Sequence, residues 1–396
     1  MAFLLSRVLR KIKQQLMQKW GYNWSRIHRD DEGGLFRCFL KALSAFYSCG
    51  VRMRLWGYRH GFLKKKTLPV FVVSIGNISS GGTGKTPAVQ MLARWALDRG
   101  HRPAVLSRGY GGHFEGRVLE VSDGREIKSS PEKSGDEPYL LARSLTGVPV
   151  IVSKNRFDAG MWVIKKLSSD FLILDDGFQH LELERDLNIV LLDATNPIGN
   201  GCLLPRGPLR EPIEQLERAD CCILTHNRRS SGELSSGRLT TARFPGVPIF
   251  RSDHVAVKVV FPESGDRFEA GMLEGKRIVA FAGIAHPEYF RETLENLGAE
   301  IVYFKAFGDH HRYEFEEIHA LLIKRETLKA HYAVTTAKDW VKIHAARPGE
   351  SAIGYLDIEF ALLDGEEGFF ELVRERFNDF AKGRQIGNER WTWMIR

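Results

Sequence analysis

The chain has 396 residues, of which 43% are hydrophobic and 27% charged. That length and balance suit two or three domains with buried cores, and they exclude a disordered, collagen-like or disulfide-scaffold chain. The charge is unevenly placed: residues 1–66 carry 15 Lys and Arg against 3 Asp and Glu, leaving 42 against 46 for the rest. A nucleic-acid surface would spread its basic residues over a folded face, so no nucleic-acid partner is expected and an anionic membrane surface fits better. Cys38, Cys49, Cys202, Cys221 and Cys222 form no C-x-x-C and read as reduced thiols.

Two amphipathic helices are predicted in the basic segment. Leu5, Val8, Leu9, Ile12 and Leu16 recur at helical spacing, with Arg7, Arg10, Lys11 and Lys13 off that stripe. The second helix runs from about Leu35 to Trp56. Phe36, Phe39, Leu40, Leu43, Phe46 and Tyr47 share one face; Arg37, Lys41, Ser44, Ser48 and Arg52 follow the other. Its longest uncharged run, Ala42–Val51, is about half of the ~20 residues that cross a bilayer. Arg7 interrupts any signal-peptide core. The segment is therefore expected neither to span nor to be exported. Its aromatic face either lies in the headgroup plane, helped by Lys64-Lys65-Lys66, or packs on the body of the protein.

Pro69–Asn77 is a β-branched run ending near a glycine, the pattern of a buried parallel strand. It enters Ser80-Gly81-Gly82-Thr83-Gly84-Lys85-Thr86, and helical spacing follows over Pro87–Arg99. Strand, glycine loop, Lys-Thr and helix make a phosphate cradle. Backbone N–H groups of Gly81, Gly82, Thr83 and Gly84 turn inward, Lys85 reaches the β/γ-phosphates, and Thr86 can ligate Mg²⁺. Ser79 stands where the strict pattern wants glycine. A second apolar run, Phe171–Leu174, delivers Asp175-Asp176-Gly177 at its C-terminal end, where carboxylates meet Mg²⁺ in open parallel sheets. Asp193, after Asn188–Leu192, is the rival acidic position.

Further strands are predicted at Ala104–Leu106, Val148–Val152 and Cys221–Thr225. The fold class is α/β: a P-loop NTPase-like parallel sheet flanked by helices over 67–245. Pro245, Pro248 and Pro262 then break up short connecting strands such as Ala256–Phe261, over 246–275. A smaller α/β unit, 276–396, closes the site. It has strand Arg277–Ala282, helix Pro287–Leu297, strand Ile301–Phe304, helix Phe315–Lys324 and strand Tyr332–Thr335. The C-terminal Trp391-Thr392-Trp393-Met394-Ile395 is either an interfacial patch or a buried tail.

Ser74–Pro87, Leu106–Gly111 (LSRGYG), Gly135–Pro138 (GDEP), Leu174–His180 (LDDGFQH), Arg185–Ala194, Leu204–Glu211 (LPRGPLRE) and Gly308–His311 (GDHH) follow one another between about 70 and 345. In these stretches the sequence resembles the tetraacyldisaccharide 4′-kinase family of lipid A biosynthesis. The resemblance implies transfer of the ATP γ-phosphate to the 4′-hydroxyl of a tetraacylated disaccharide 1-phosphate, giving lipid IVA. It also implies a peripheral place at the cytoplasmic face of the inner membrane, with no obligate protein partner evident. Carried over, Lys85 and Thr86 hold ATP and Mg²⁺, Asp175, Asp176 and Glu211 surround the metal, and Arg210 neutralises phosphate charge. Asp136 is implied as the base that accepts the sugar hydroxyl's proton, oriented by His310.

Taken alone, Asp136 before Pro138 reads equally as a helix N-cap, His310 beside Asp309 and His311 as a surface turn or a metal cluster, and Arg210-Glu211 as a solvated pair. Two departures from the family pattern, Gly308 and Arg206, bear on loop geometry. The chief alternative is a membrane-associated P-loop switch or partitioning ATPase, but Ser80 stands where that class carries a second lysine. A GTPase would need Asn-Lys-x-Asp, and Thr336-Ala337-Lys338-Asp339 does not fit. A lipid-surface binding protein with a degenerate loop is disfavoured by the intact Lys85, Thr86 and Asp175-Asp176.

Overall fold

The structure is a computed structural model and describes residues 35–227, 246–309, 311–346 and 353–385. The predicted helix around residues 5–16, the Trp391–Ile395 tail and His310 lie outside the described residues. The first described element, α1 (Leu35–Arg59), is the expected amphipathic helix. Then follow β1 (Phe71–Gly76), α2 (Lys85–Asp98), β2 (Pro103–Ser107), β3 (Leu119–Ser122), α3 (Pro131–Ser134), α4 (Asp136–Ser144), β4 (Val150–Val152), α5 (Arg156–Leu167), β5 (Phe171–Asp175), β6 (Leu187–Asp193) and β7 (Cys221–Thr225).

These strands lie in the order β3-β4-β2-β5-β1-β6-β7, parallel except for β3. β1 is central because it is apolar on both faces. Phe71, Val73 and Ile75 meet Val89, Leu92 and Ala96 of α2 on one side, while Val72 joins Leu172, Leu174 and the α5 residues Ala159 and Val163 on the other. Each fully buried aliphatic side chain contributes about 1.5–3 kcal/mol, so this double-sided core fixes where β1 and β5 end. Where they end is where the site forms.

The second series is β8 (Ile249–Phe261), β9 (Asp266–Glu269), β10 (Arg277–Ala282), α6 (Pro287–Asn296), β11 (Glu300–Ala306), α7 (Phe315–Thr327), β12 (Tyr332–Thr336), α8 (Ala337–Ala346), β13 (Ile353–Asp364) and α9 (Glu366–Gln385). One sheet runs through the described residues, continuing β7-β8-β13-β12-β10-β11 with β9 on β8. β8 starts parallel to β7 at Ile249–Arg251, then runs beyond it, antiparallel to β13 as far as Val260. β13 is parallel to β12, and β12 to β10. The two long strands thus form a ribbon that reverses strand direction between halves. The C-terminal strand ends of one half consequently face those of the other across a cleft.

The sequence reading divided this region differently. Ala256–Phe261 is the far part of a thirteen-residue strand, and its partner β13 was not foreseen. A boundary at 276 also assigns α9 to the second unit, whereas Phe369 and Val373 are fully buried in the first core. Phe377 packs edge-on to Phe71 at 5.3 Å, and Phe370 stacks on Trp95 at 5.1 Å. These aromatic contacts tie the chain's end back onto the β1 side.

α1 meets the body through its small side. Leu40 and Ser44 are buried, Ser44 Oγ donates to Leu203 O at 2.8 Å, and Tyr47 OH donates to Arg210 O at 2.9 Å. The aromatic face turns outward: Phe46 is 78% exposed, Phe39 57% and Trp56 52%. Leu40 and Tyr47, predicted on the same face, are the members of it that meet the body. No described helix is long and apolar enough to cross a membrane.

Candidate active site

The glycine loop leaves β1 and is held from both sides. Asn77 Nδ2 donates to Thr83 Oγ1 at 3.0 Å, Ser80 N donates to Pro208 O at 2.7 Å, and Arg210 N donates to Ile78 O at 2.7 Å. The Leu204–Glu211 stretch is therefore the splint of the loop's first half. Ser79 pairs with Leu209 and does not adopt a positive φ, so that position does not require glycine. Gly84 does require it: its φ is 76°, and a Cβ would lie 2.4 Å from His254 Nε2. Gly84 caps α2, whose first residue is Lys85, so the helix N-terminus and its unpaired N–H groups face the loop.

β5 ends on Asp175, and the backbone then turns left-handed at Asp176 (φ 53°). Asp176 accepts from Arg210 Nη1 at 3.0 and 2.9 Å and lies 3.5 Å from Lys85 Nζ. Burial opposes its charge, but Lys85 and Arg210 outweigh that and hold its carboxyl below the usual range. Asp175 is buried and accepts from Ser107 Oγ at 2.9 Å. Burial, with the charges of Glu137 and Asp176, pushes it up to about 6. A desolvated carboxylate beside a second acid, next to Lys85 and Thr86, is a donor set that fits a hard divalent cation.

Glu211 is not brought into that group. It is buried, bonded to Arg218, and 3.9 Å from Arg54 of α1. Arg210 lines the cleft and Glu211 does not. Among the described residues, no cluster of three or more His, Cys, Asp or Glu is arranged to hold a metal ion. The rival Asp193 serves its own turn: Thr195 N and Oγ1 donate to it at 2.9 and 2.7 Å, and His226 Nδ1 lies at 3.3 Å. Burial would raise its carboxyl, but these bonds hold it down at about 2.

Asp136 is the first residue of α4. The capping position falls on Gly135, so the N-cap reading of Asp136 does not hold. Gly135 has φ 91°, and a Cβ there would lie 2.5 Å from Tyr110 O, which interlocks the GDEP turn with the LSRGYG loop. The neighbouring Glu137 lines the cleft, and Asp136 is not among the lining residues. Near the GDHH turn, His311 Nε2 pairs with Glu317 Oε2 at 2.7 Å and stacks on Phe307 at 4.5 Å. Gly308 accepts from His311 N at 3.0 Å, and Arg206 Nη1 donates to Cys202 Sγ at 2.8 Å.

The cleft is about 2490 Å³, lined by the loop residues, Arg108, Arg156, Asp175, Asp176 and Arg210 on one side and Ala285, Tyr289, Asp309 and Lys338 on the other. Pockets for one small ligand run to about 300–1,000 Å³, so this one has room for two substrates. A family profile described as tetraacyldisaccharide-1-P 4′-kinase matches residues 36–378. The chain belongs to this family.

A tetraacyldisaccharide 4′-kinase from Syntrophus aciditrophicus is 45% identical over 353 residues, covering 87% of this chain and 94% of the relative. One from Geobacter metallireducens is 40% identical over 330 residues, covering 83% and 95%. Among solved structures, LpxK from Aquifex aeolicus, crystallised in complex with ATP, aligns with a TM-score of 0.71 at 34% identity. It covers 87% of this chain and all of that one. Four site residues escaped the sequence reading: Ser107, Glu137, Arg156 and Lys338. Ser107 and Glu137 stand inside the LSRGYG and GDEP stretches quoted for the family, so a polar neighbour within a motif was the available signal there; Lys338 lies outside those stretches. Arg156 had none; it is 3% exposed, and burial pushes its guanidinium down to about 10 against the charges of Asp175 and Asp176.

Proposed function

We propose that the chain transfers the γ-phosphoryl group of ATP to the 4′-hydroxyl of a tetraacyldisaccharide 1-phosphate, the lipid A precursor, at a membrane surface. The observation that carries this reading is the meeting of Lys85, Asp175, Asp176 and Arg210 at one strand edge, opposite a second strand edge. The loop backbone and the α2 N-terminus grip the phosphates, and Lys85 places its charge at the transferring end. Asp176 engages Lys85 and Arg210, so both cations are held at the site. Arg210, splinted to the loop through its own N–H, then offsets charge on the oxygens.

Thr86, Asp175 and Asp176 would hold Mg²⁺, with Glu211 behind Arg210 steadying that strand of the site through Arg218. The ion would supply neutralisation of the phosphate charge. Asp136 is the base. It opens α4 beside the cleft-lining Glu137, and it accepts the proton of a hydroxyl presented from the second half. His310, next in sequence to Asp309, would orient that base.

The exposed aromatic face of α1, joined by Phe62 and Leu63 at 72% and 41% exposure, is the membrane-facing side. It lies on the helix that touches Arg210 and Glu211 through Tyr47 and Arg54, so an acylated acceptor held in the lipid surface is delivered beside the phosphate site. The test is ³²P transfer from γ-labelled ATP to purified disaccharide 1-phosphate lipid, with a non-lipid sugar as control. ATP hydrolysis without lipid labelling would sink the proposal in favour of a switch ATPase.

A further inference from the structure

Thr336-Ala337-Lys338-Asp339 has no role in the nucleotide reading, yet it sits where β12 passes directly into α8 at the cleft. Its two charged residues diverge. Asp339 is fully buried and accepts from Gly283 N, Thr336 Oγ1 and Lys342 Nζ, each at 2.8 Å. It therefore ties the end of β10 to the start of α8. Lys338 points away from that frame and lines the cleft, and its Nζ lies 2.9 Å from Glu137 Oε1 on α4 of the opposite half.

A lysine in the first turn of a helix faces the positive end of the dipole, and its side chain here is only 21% exposed. Both costs are offset by the Glu137 carboxylate and by the charge of Asp309. Docking of α8 on α4 does not depend on the lysine alone, since Arg143 already lies over the Trp340 ring at 4.6 Å one turn further on. Glu137 follows Asp136, and Asp309 precedes His310. Unneutralised, Glu137 would also add negative charge against Asp175.

We infer that Lys338 is a positioning residue for phosphoryl transfer: its ion pair with Glu137 across the cleft sets the Asp136 turn against the half that carries Asp309. This rests on the reading of Asp136 as the base. Lys338 touches neither substrate in this role. It acts by fixing the first turn of α4, and a displacement of about 1 Å at a reacting group can cost on the order of 10²-fold in rate.

The experiment compares K338M, K338R, E137Q and the E137Q/K338M double variant in the lipid-labelling assay, each with its melting temperature. K338M is expected to lower kcat at least about ten-fold while the KM for ATP changes by no more than about two-fold. K338R should recover most of the rate, and the double variant should be no slower than the worse single variant, because both remove one interaction. A wild-type kcat in K338M with a lowered melting temperature would leave only a structural tie and overturn the inference. So would a raised KM for ATP with kcat preserved, or single losses that multiply. Should K338M not fold, E137Q must lower kcat and K338R must retain most of it, or the inference fails. D136N serves as the control: if it keeps its kcat, the base is lost and the inference with it. If D136N is inactive and K338M runs at the wild-type rate, the inference alone falls.

Discussion

The two facing strand edges differ in how their residues reach the cleft. On the β1 side the groups are delivered by short contiguous stretches, each pinned by its own backbone: Lys85 by the α2 start, Asp175 by the end of β5, and Arg210 by the splint on Ile78. On the β12 side the groups depend on a ribbon of two long strands for their placement, and they meet the first half through a few side chains. Lys338 on Glu137 at 2.9 Å and Tyr289 OH on Thr195 Oγ1 at 2.9 Å are two of them. The proposed phosphate grip is thus preorganised by local structure, whereas the proposed acceptor side depends on how the two halves close.

Breaking the grip should have the largest effect. K85A is expected to lower kcat by about 10³-fold or more while melting near the wild-type temperature, since Lys85 is half-buried at the rim and not in a core. Near-normal turnover would remove the loop from the chemistry. Next comes the proposed base: D136N should lower kcat by about 10²–10⁴-fold and leave the KM for ATP almost unchanged. Weakened ATP binding with kcat preserved would move Asp136 from the acceptor side to the nucleotide side.

D175N sharpens the comparison through stability. The Asp175 carboxyl is raised to about 6 when folded, chiefly by burial, against about 3.9 when unfolded. Its contribution is therefore fully present below pH 4 and is lost as pH rises through about 6. Metal-free D175N should melt above the wild type at pH 8, by on the order of 2 kcal/mol, and match it below pH 4, while losing kinase activity. Equal melting at both pH values would show that Asp175 carries no such strain. The smallest effect is expected at the membrane: replacing Phe39, Phe46 and Trp56 by Ser should weaken sedimentation with anionic vesicles and leave transfer to detergent-dispersed lipid within about two-fold. Salt should weaken what binding remains, because basic residues act through a screened field. Unchanged sedimentation would leave the outward aromatic face without that role.

Much of the first half was legible because its signals are local. A strand buried on both faces must be a continuous apolar run, and a glycine loop between it and a helix has few other uses. Phe71–Gly76 and Lys85–Asp98 accordingly fall within a few residues of the predicted limits. The second series from Arg277 to Thr336 was legible for the same reason. β13 and α9 were not: β13 alternates between faces of a ribbon with no single core, and α9 earns its place by aromatic contacts with Phe71 and Trp95, nearly 300 positions earlier. Glu211 shows the same limit at the site. As one of a charged pair it reads as solvated, and only the fold decides that it is buried against Arg218.

By itself the sequence determined the family, the phosphate loop and the carboxylate pair, because each depends on backbone geometry set within a few residues. Tertiary structure alone decided that the aromatic side of α1 faces outward, that Lys338 rather than a loop residue meets Glu137, and that two strand edges oppose each other. Those outcomes follow from which distant surfaces bury one another and from the antiparallel pairing of β8 with β13, and no local pattern encodes either.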